Sequence, residues 1–341
     1  VVKILLIYGI MMASCMDVQE SWVNGPEETG NLDILALEIL ENQLIFTFSD
    51  PLLEAEVNWG SLSVDHWELQ DNTLRADLAK ALVPGQGNEV FLSVRAKGGR
   101  ENVFLQRFYA PNPKLPVVVI NEILNQGSSS HPDALELLCL QEGNLAGLTL
   151  RTTAPQPGSS WEADAYVFPP TEVQAGDLLI LHCKPSGDPE ERDEIENQSA
   201  SGGQDSHENA WDFWWPQAPG LSGTDGMIAL LSQPDGLPFH GVFYSNKRDN
   251  PGRYSGFGTK KAQLSAQYLA DHGLWFSEEI GPQGSIDNRY STSTRTLNRR
   301  TNGSTPHNGQ APGAESQWFT APTRGSSLGE ENIDYELRYI P

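Results

Sequence analysis

Apolar and polar residues alternate along this chain in short runs broken by turns. In residues 44–48 (LIFTF), Leu44, Phe46 and Phe48 share one face by the two-residue period of a strand. The runs 32–40 and 44–48 are separated by Glu41-Asn42-Gln43, which predicts a hairpin. Trp59, Leu62, Val64, Trp67 and Leu69 continue as short strand segments, with Leu74 and Leu78 after a turn at Asp71-Asn72. Val90, Leu92 and Val94 alternate in residues 89–96, and Lys97-Gly98-Gly99-Arg100 turns the chain into a returning run at 102–109. Short strands with a turn roughly every ten residues predict a β-sandwich over residues 31–112. The proline-rich stretch 110–116 then ends the last strand, because proline fixes φ and withholds a donor. Residues 117–150 read as strand, polar loop, strand, turn, strand, and they organise a second all-β domain over 117–332. One stretch, Thr259 to His272, has the look of a short helix.

Composition agrees with this picture. The 341 residues suffice for two domains, and 32 Gly with 23 Pro imply many turns. The net charge of −23 repels phosphate backbones and so disfavours nucleic acid as a partner. The basic pairs Lys247-Arg248 and Lys260-Lys261 are too short to reverse that. Acidity of this kind suits solubility outside the cytoplasm. Three cysteines, Cys15, Cys139 and Cys183, make neither a disulfide framework nor a CxxC metal motif. Cys139 and Cys183 lie on expected strands, and they are either two buried thiols or a bond between neighbouring strands.

Residues 1–14 (VVKILLIYGIMMAS) place one lysine before an apolar run and small residues before Cys15, the layout of a secretory signal. The ending resembles a bacterial lipoprotein signal, which implies lipidation of Cys15 and a lipid-anchored, periplasmic or surface-facing location at the cell envelope. A buried N-terminal strand or a wrongly chosen start codon is the alternative. Residues 16–30 are polar and aperiodic and read as a tether, with a tail at 333–341.

Two resemblances sharpen the fold. Residues 82–96 (LVPGQGNEVFLSVRA) are similar to the late hairpin of bacterial immunoglobulin-like repeats. The second domain resembles the lamin-tail family. Val119-Ile120-Asn121-Glu122-Ile123-Leu124 matches its first strand and Asp133-Ala134-Leu135-Glu136-Leu137-Leu138 its second, with Ala134 in place of an aromatic. Residues 144–150 follow in family order with Leu148 in place of Trp, then 166–169, 175–181, the hairpin within 223–236 and the return at 239–244. Residues 293–299, 316–326 and 328–332 resemble the close of the domain. The implied fold class is all-β, two immunoglobulin-like β-sandwich domains, the second lamin-tail-like with long insertions at 184–219 and 246–286.

Candidate chemistry is sparse. Trp211, Phe213, Trp214 and Trp215 cluster in the first insertion with Asp212 and Glu208 beside them. Exposed, the rings would stack on sugars; packed, they would plug the insertion against the sandwich. The acidic tract Asp188, Glu190, Glu191, Asp193, Glu194 and Glu196 lacks a calcium-loop pattern and reads as a solvated loop. Glu122 and Glu136 fall on strands expected to be adjacent, a pair suited to hydrogen bonding or to holding a cation. His66, His131, His182, His207, His240, His272 and His307 show no ligand spacing, and no HExxH, P-loop or GxSxG motif occurs. The expected function is a non-enzymatic exported lipoprotein without cofactor, binding or scaffolding envelope proteins or glycans. Bacterial lamin-tail domains often accompany envelope hydrolases or nucleases, so the resemblance also implies an accessory subunit of such an enzyme. A carbohydrate-binding module using Trp211, Trp214 and Trp215 is the third reading.

Overall fold

The computed structural model describes residues 31–155, 165–216, 218, 220–300 and 317–332. The signal-like segment with Cys15, the tether 16–30 and the tail 333–341 lie outside the described residues. The chain divides into two compact units, Val1–Pro111 and Asn112–Pro341. Among the described residues both are predominantly β, with most strand pairs antiparallel.

The first unit holds β1 (Ile34–Leu40), β2 (Gln43–Phe48), β3 (Leu52–Asn58), β4 (Val64–Gln70), β5 (Thr73–Leu78), β6 (Gly87–Ala96) and β7 (Glu101–Tyr109). They form sheets of order β1-β2-β5-β4 and β3-β6-β7. Strict alternation decides which face is buried. In β6, Val90, Leu92, Val94 and Ala96 point inward while the residues between them face water. They meet Leu44, Phe46, Phe48 and Leu74 of the other sheet in one core. Burying each such leucine or phenylalanine contributes about 1.5–3 kcal/mol. Trp59 packs partly against this core, whereas Trp67 is 37% exposed on β4.

The second unit holds β8 (Val118–Leu124), β9 (Ala134–Cys139), β10 (Gly143–Asn144), β11 (Thr149–Arg151), β12 (Ala165–Val167), β13 (Glu172–Val173), β14 (Leu178–His182), β15 (Trp211–Trp214), β16 (Asp225–Leu231) and β17 (Pro238–Ser245). Helix α1 (Lys260–Asp271) follows, then β18 (Ile286–Asp287), β19 (Leu297–Arg299) and β20 (Trp318–Thr320). A six-stranded sheet of order β15-β14-β9-β8-β19-β20 faces a five-stranded sheet of order β12-β11-β16-β17-β18. Ile120, Leu135, Leu137, Leu179 and Leu181 of the first meet Leu150, Ile228, Leu230 and Val242 of the second in a shared core.

Helix α1 covers the outer face of the five-stranded sheet. Met227, Ala229, Leu231 and Phe243 pack against Phe257, Ala262, Ala266 and Leu269. The Thr259 hydroxyl accepts the Ala262 N–H and so caps the helix start. Gly241 makes the close approach possible, since a Cβ there would lie 2.6 Å from Leu269 Cδ2.

The two cysteines do not pair. Cys139 bonds through its backbone N–H to Asp177 O, and Cys183 to Asp133 O, at opposite ends of the β9–β14 ladder. Both thiols are buried and free, and burial pushes the Cys139 thiol up to about 12. A disulfide demands a Cα separation near 5.5–6 Å, and a ladder of this length places its ends far beyond that.

Candidate functional site

The described groups with the most chemistry lie on the outer face of the six-stranded sheet. A bulge puts them there. Ile120 pairs with Leu137 and Glu122 with Glu136, which leaves Asn121 as an extra residue in β8. A bulge re-aims the side chains beyond it. Here Ile120 and Ile123 enter the core while Glu122 turns to the outer face. Strand pairing then aligns Asn298, Glu122, Glu136, Ile180 and Asp212 in one row across five strands.

The segment after β20 closes over this row. Glu122 accepts from Ser326 Oγ (3.0 Å), Ser327 N (3.0 Å), Ser327 Oγ (2.6 Å) and Asn298 Nδ2 (3.2 Å). Glu136 accepts from Asn121 Nδ2 and Gly329 N, each at 2.6 Å. Asn332 completes the closure by donating to Asn121 O (3.1 Å) and Arg299 O (2.9 Å). Both glutamates are fully buried. Burial raises the Glu122 carboxyl, and burial followed by the Glu122 charge pushes Glu136 up to about 8.

Gly329 lets the segment lie this close. Its φ is +81°, and a Cβ would sit 2.2 Å from His207 Cγ. A left-handed non-glycine residue costs about 1–2 kcal/mol before any clash. Gly329→Ala is therefore expected to destabilise the second unit by at least about 1–2 kcal/mol, read as a lowered midpoint in urea. An unchanged midpoint would mean that the segment does not pack as described.

At the far end of the row, His182 Nε2 and Asp212 Oδ1 are 2.8 Å apart, both buried. Asp212 Oδ2 accepts the His207 N–H at 2.8 Å. The His182 ring stacks on Trp214 with centroids 3.8 Å apart and planes 10° from parallel. The first insertion thus supplies a strand as well as loops, since β15 runs parallel to β14 at the sheet edge. Phe213 and Trp215 point into the core against Phe168 and Tyr166, while Trp214 donates to Ser201 Oγ. Trp214 is 4% and Trp215 6% exposed, and Trp211 is half-buried with Nε1 on Asp177 Oδ2. Buried rings present no open face to a sugar. That corrects the exposed platform at Trp214 and Trp215 and leaves Trp211 half-buried, while the acceptor role for Asp212 becomes an internal one.

The acidic tract is solvated at Asp188, Glu190 and Glu196, as expected, but not at Asp193 and Glu194. Asp193 accepts the outward Trp214 N–H (2.7 Å) and Glu194 the outward Asp212 N–H (2.8 Å), while the Glu194 N–H donates to Asp212 O (3.0 Å). These carboxylates cap the free edge of β15, where unpaired N–H groups would otherwise invite another strand. Burial raises both carboxyls. Glu191 in turn accepts the N–H groups of Ser186 and Gly187.

The remaining histidines do not converge. His131 approaches Asp205 (3.3 Å), His272 bonds Tyr268 O (2.7 Å), His66 is exposed, and His307 lies outside the described residues. His240 points into the core with both ring nitrogens lacking a hydrogen bond; burial, aided by Arg299, pushes it down to about 3 and keeps it neutral. Among the described residues no group of three or more His, Cys, Asp or Glu is placed to hold a metal ion. A separate cavity of about 330 Å³ opens at the start of α1, with Asp225, Lys261, Thr153, Ser265, Met227 and Phe243 in its walls.

Sequence reasoning reached Glu122 and Glu136 but missed Asn121, Asn298, Ser327, Gly329 and Asn332 as their partners. It also missed the His182–Asp212 pair. The partners of Glu122 lie more than 170 residues away in the chain, so spacing carries no signal of them.

A family model described as "TP_1001_2nd: protein second domain" matches residues 116–320. Over 198 residues the chain is 22% identical to an uncharacterized protein of Treponema pallidum (strain Nichols), covering 57% of this chain and 49% of that protein. The chain thus spans about half the length of the curated relative it matches. Among the described residues no helix is long and apolar enough to cross a membrane.

Proposed function

The chain belongs to the TP_1001_2nd family through residues 116–320, and on that premise we propose that it is a non-enzymatic, lipid-anchored binding or scaffolding module of the bacterial cell envelope. One observation carries the non-enzymatic part. The residues best suited to acid–base work, Glu122 and Glu136, are closed beneath residues 326–332, with protein donors on all four of their carboxylate oxygens. While residues 326–332 are closed, such a network holds one arrangement of the side chains and leaves no approach for a substrate. The anchoring part rests on the lipoprotein-like signal ending at Cys15. The lamin-tail resemblance favours an interaction module. Protein partners are favoured over glycans, because the Trp214 and Trp215 rings are buried.

The test is expression of the full chain in a bacterial host, followed by detergent-phase partition and crosslinking in cells. The wild type is expected in the detergent phase and Cys15→Ala in the aqueous phase, with a discrete crosslinked protein partner. Aqueous partition of the wild type would remove the anchor. Co-purifying hydrolase activity would favour the accessory-subunit reading instead.

A further inference from the structure

We propose that the C-terminal segment 325–332 is a proton-dependent latch: one proton held by the Glu122–Glu136 pair keeps it closed on the six-stranded sheet, and loss of that proton releases it.

The geometry carries this independently of the envelope assignment. The two carboxyls are directly paired across β8 and β9 and fully buried. The groups that face them offer no compensating cation. Asn298 is beside Glu122 on β19, and Ile180 beside Glu136 on β14. One position along β14 is His182, already bonded to Asp212 of β15. From the first insertion comes His207, whose ring abuts Gly329 and whose Nδ1 accepts the Asn209 N–H at 3.3 Å. The charged residues of the segment, Glu330 and Glu331, and Arg324 just before it are exposed. Two adjacent buried carboxylates without a cation cannot both ionise at low cost. The donors assign the proton. Glu122 accepts four donors on two oxygens, the environment of an anion, whereas Glu136 accepts only two and retains capacity for the proton.

The latch is where this charge balance meets the chain. Five of the bonds that hold the segment end on this pair or on Asn298 beside it: Ser326 Oγ, Ser327 N and Ser327 Oγ on Glu122, Gly329 N on Glu136, and Asn332 Oδ1 from Asn298 Nδ2. Opening the segment returns Glu136 to water and to an ordinary carboxyl value near 4.5, against about 8 when closed. The closed state therefore binds one more proton than the open state between these values. Opening becomes about tenfold easier for each pH unit across that window and is constant above it.

The experiment is backbone hydrogen exchange on the full chain at pH 5 to 9, corrected for the intrinsic exchange rate. The amides of Ser327 and Gly329 are expected to lose protection about tenfold per pH unit from pH 5 to 8, while those of Leu135 and Leu137 hold theirs. In Glu136→Gln, which has no proton to lose at that position, the Ser327 and Gly329 profile is expected to be flatter than that of the wild type, with only the raised Glu122 carboxyl left to contribute. A flat wild-type profile overturns the latch, and so does an undiminished slope in Glu136→Gln. Strand amides falling in parallel would also overturn it, since that is unfolding of the whole unit. If the glutamine variant does not fold, the wild-type contrast between segment and strand amides decides alone.

Discussion

Trp215→Ala is expected to destabilise the second unit by about 3–5 kcal/mol, the usual cost of deleting a buried tryptophan side chain. The ring belongs to the core shared by the two sheets and lies against Tyr166 with centroids 6.2 Å apart. Trp214→Ala is expected to cost a similar amount by a different route. It removes the stack on His182 and the bond to Ser201 Oγ, and it opens the cover over β15. Urea unfolding of each variant, followed by near-ultraviolet circular dichroism, measures both. Full retention of stability together with loss of sugar binding would return these rings to the surface and revive the glycan reading.

Glu122→Ala should be as costly, at about 3–5 kcal/mol, because it leaves the Ser327 N–H and O–H and the Asn298 amide without their acceptor in a closed site. Its neighbour should behave in the opposite sense. The Glu136 carboxyl is raised when folded, so the folded state keeps a proton that the unfolded chain has lost above about 4.5. Its contribution is fully present below that value and is lost as pH climbs to about 8. Glu136→Gln is therefore expected to gain stability over the wild type as pH rises from 5 to 8, by up to about 1.4 kcal/mol per pH unit, the free energy of one pKa unit. Denaturation at pH 5 and pH 8 reads both variants. Equal losses for Glu122→Ala and Glu136→Gln at pH 8 would mean that the pair does not divide its roles as described.

What could be read early depended on where the deciding contacts lie along the chain. The hairpin of β1 and β2 was visible because Leu44, Phe46 and Phe48 alternate and the turn sits between their strands. Helix α1 was visible from Thr259 to His272 because its cap and its apolar face are local. The adjacency of Glu122 and Glu136 was expected, and the pairing of β8 with β9 delivers it. Within the acidic tract Asp193 and Glu194 misled, since a run of carboxylates looks solvated unless the edge strand whose N–H groups it caps is known. The tryptophans could be read two ways for the same reason: composition cannot say on which side of a strand a ring falls.

By itself, then, the sequence determined the all-β class, the short alternating strands and the helix at Thr259 to His272, because each follows from propensity and period over a few residues. Only the tertiary structure decided that Asn121 forms a bulge, that Glu122 consequently leaves the core, and that residues 326–332 return to close over it. That closure joins donors and acceptors some two hundred residues apart, and its free energy exists only once two buried carboxyls, a glycine in left-handed backbone and two distant asparagines have been brought to one face of one sheet.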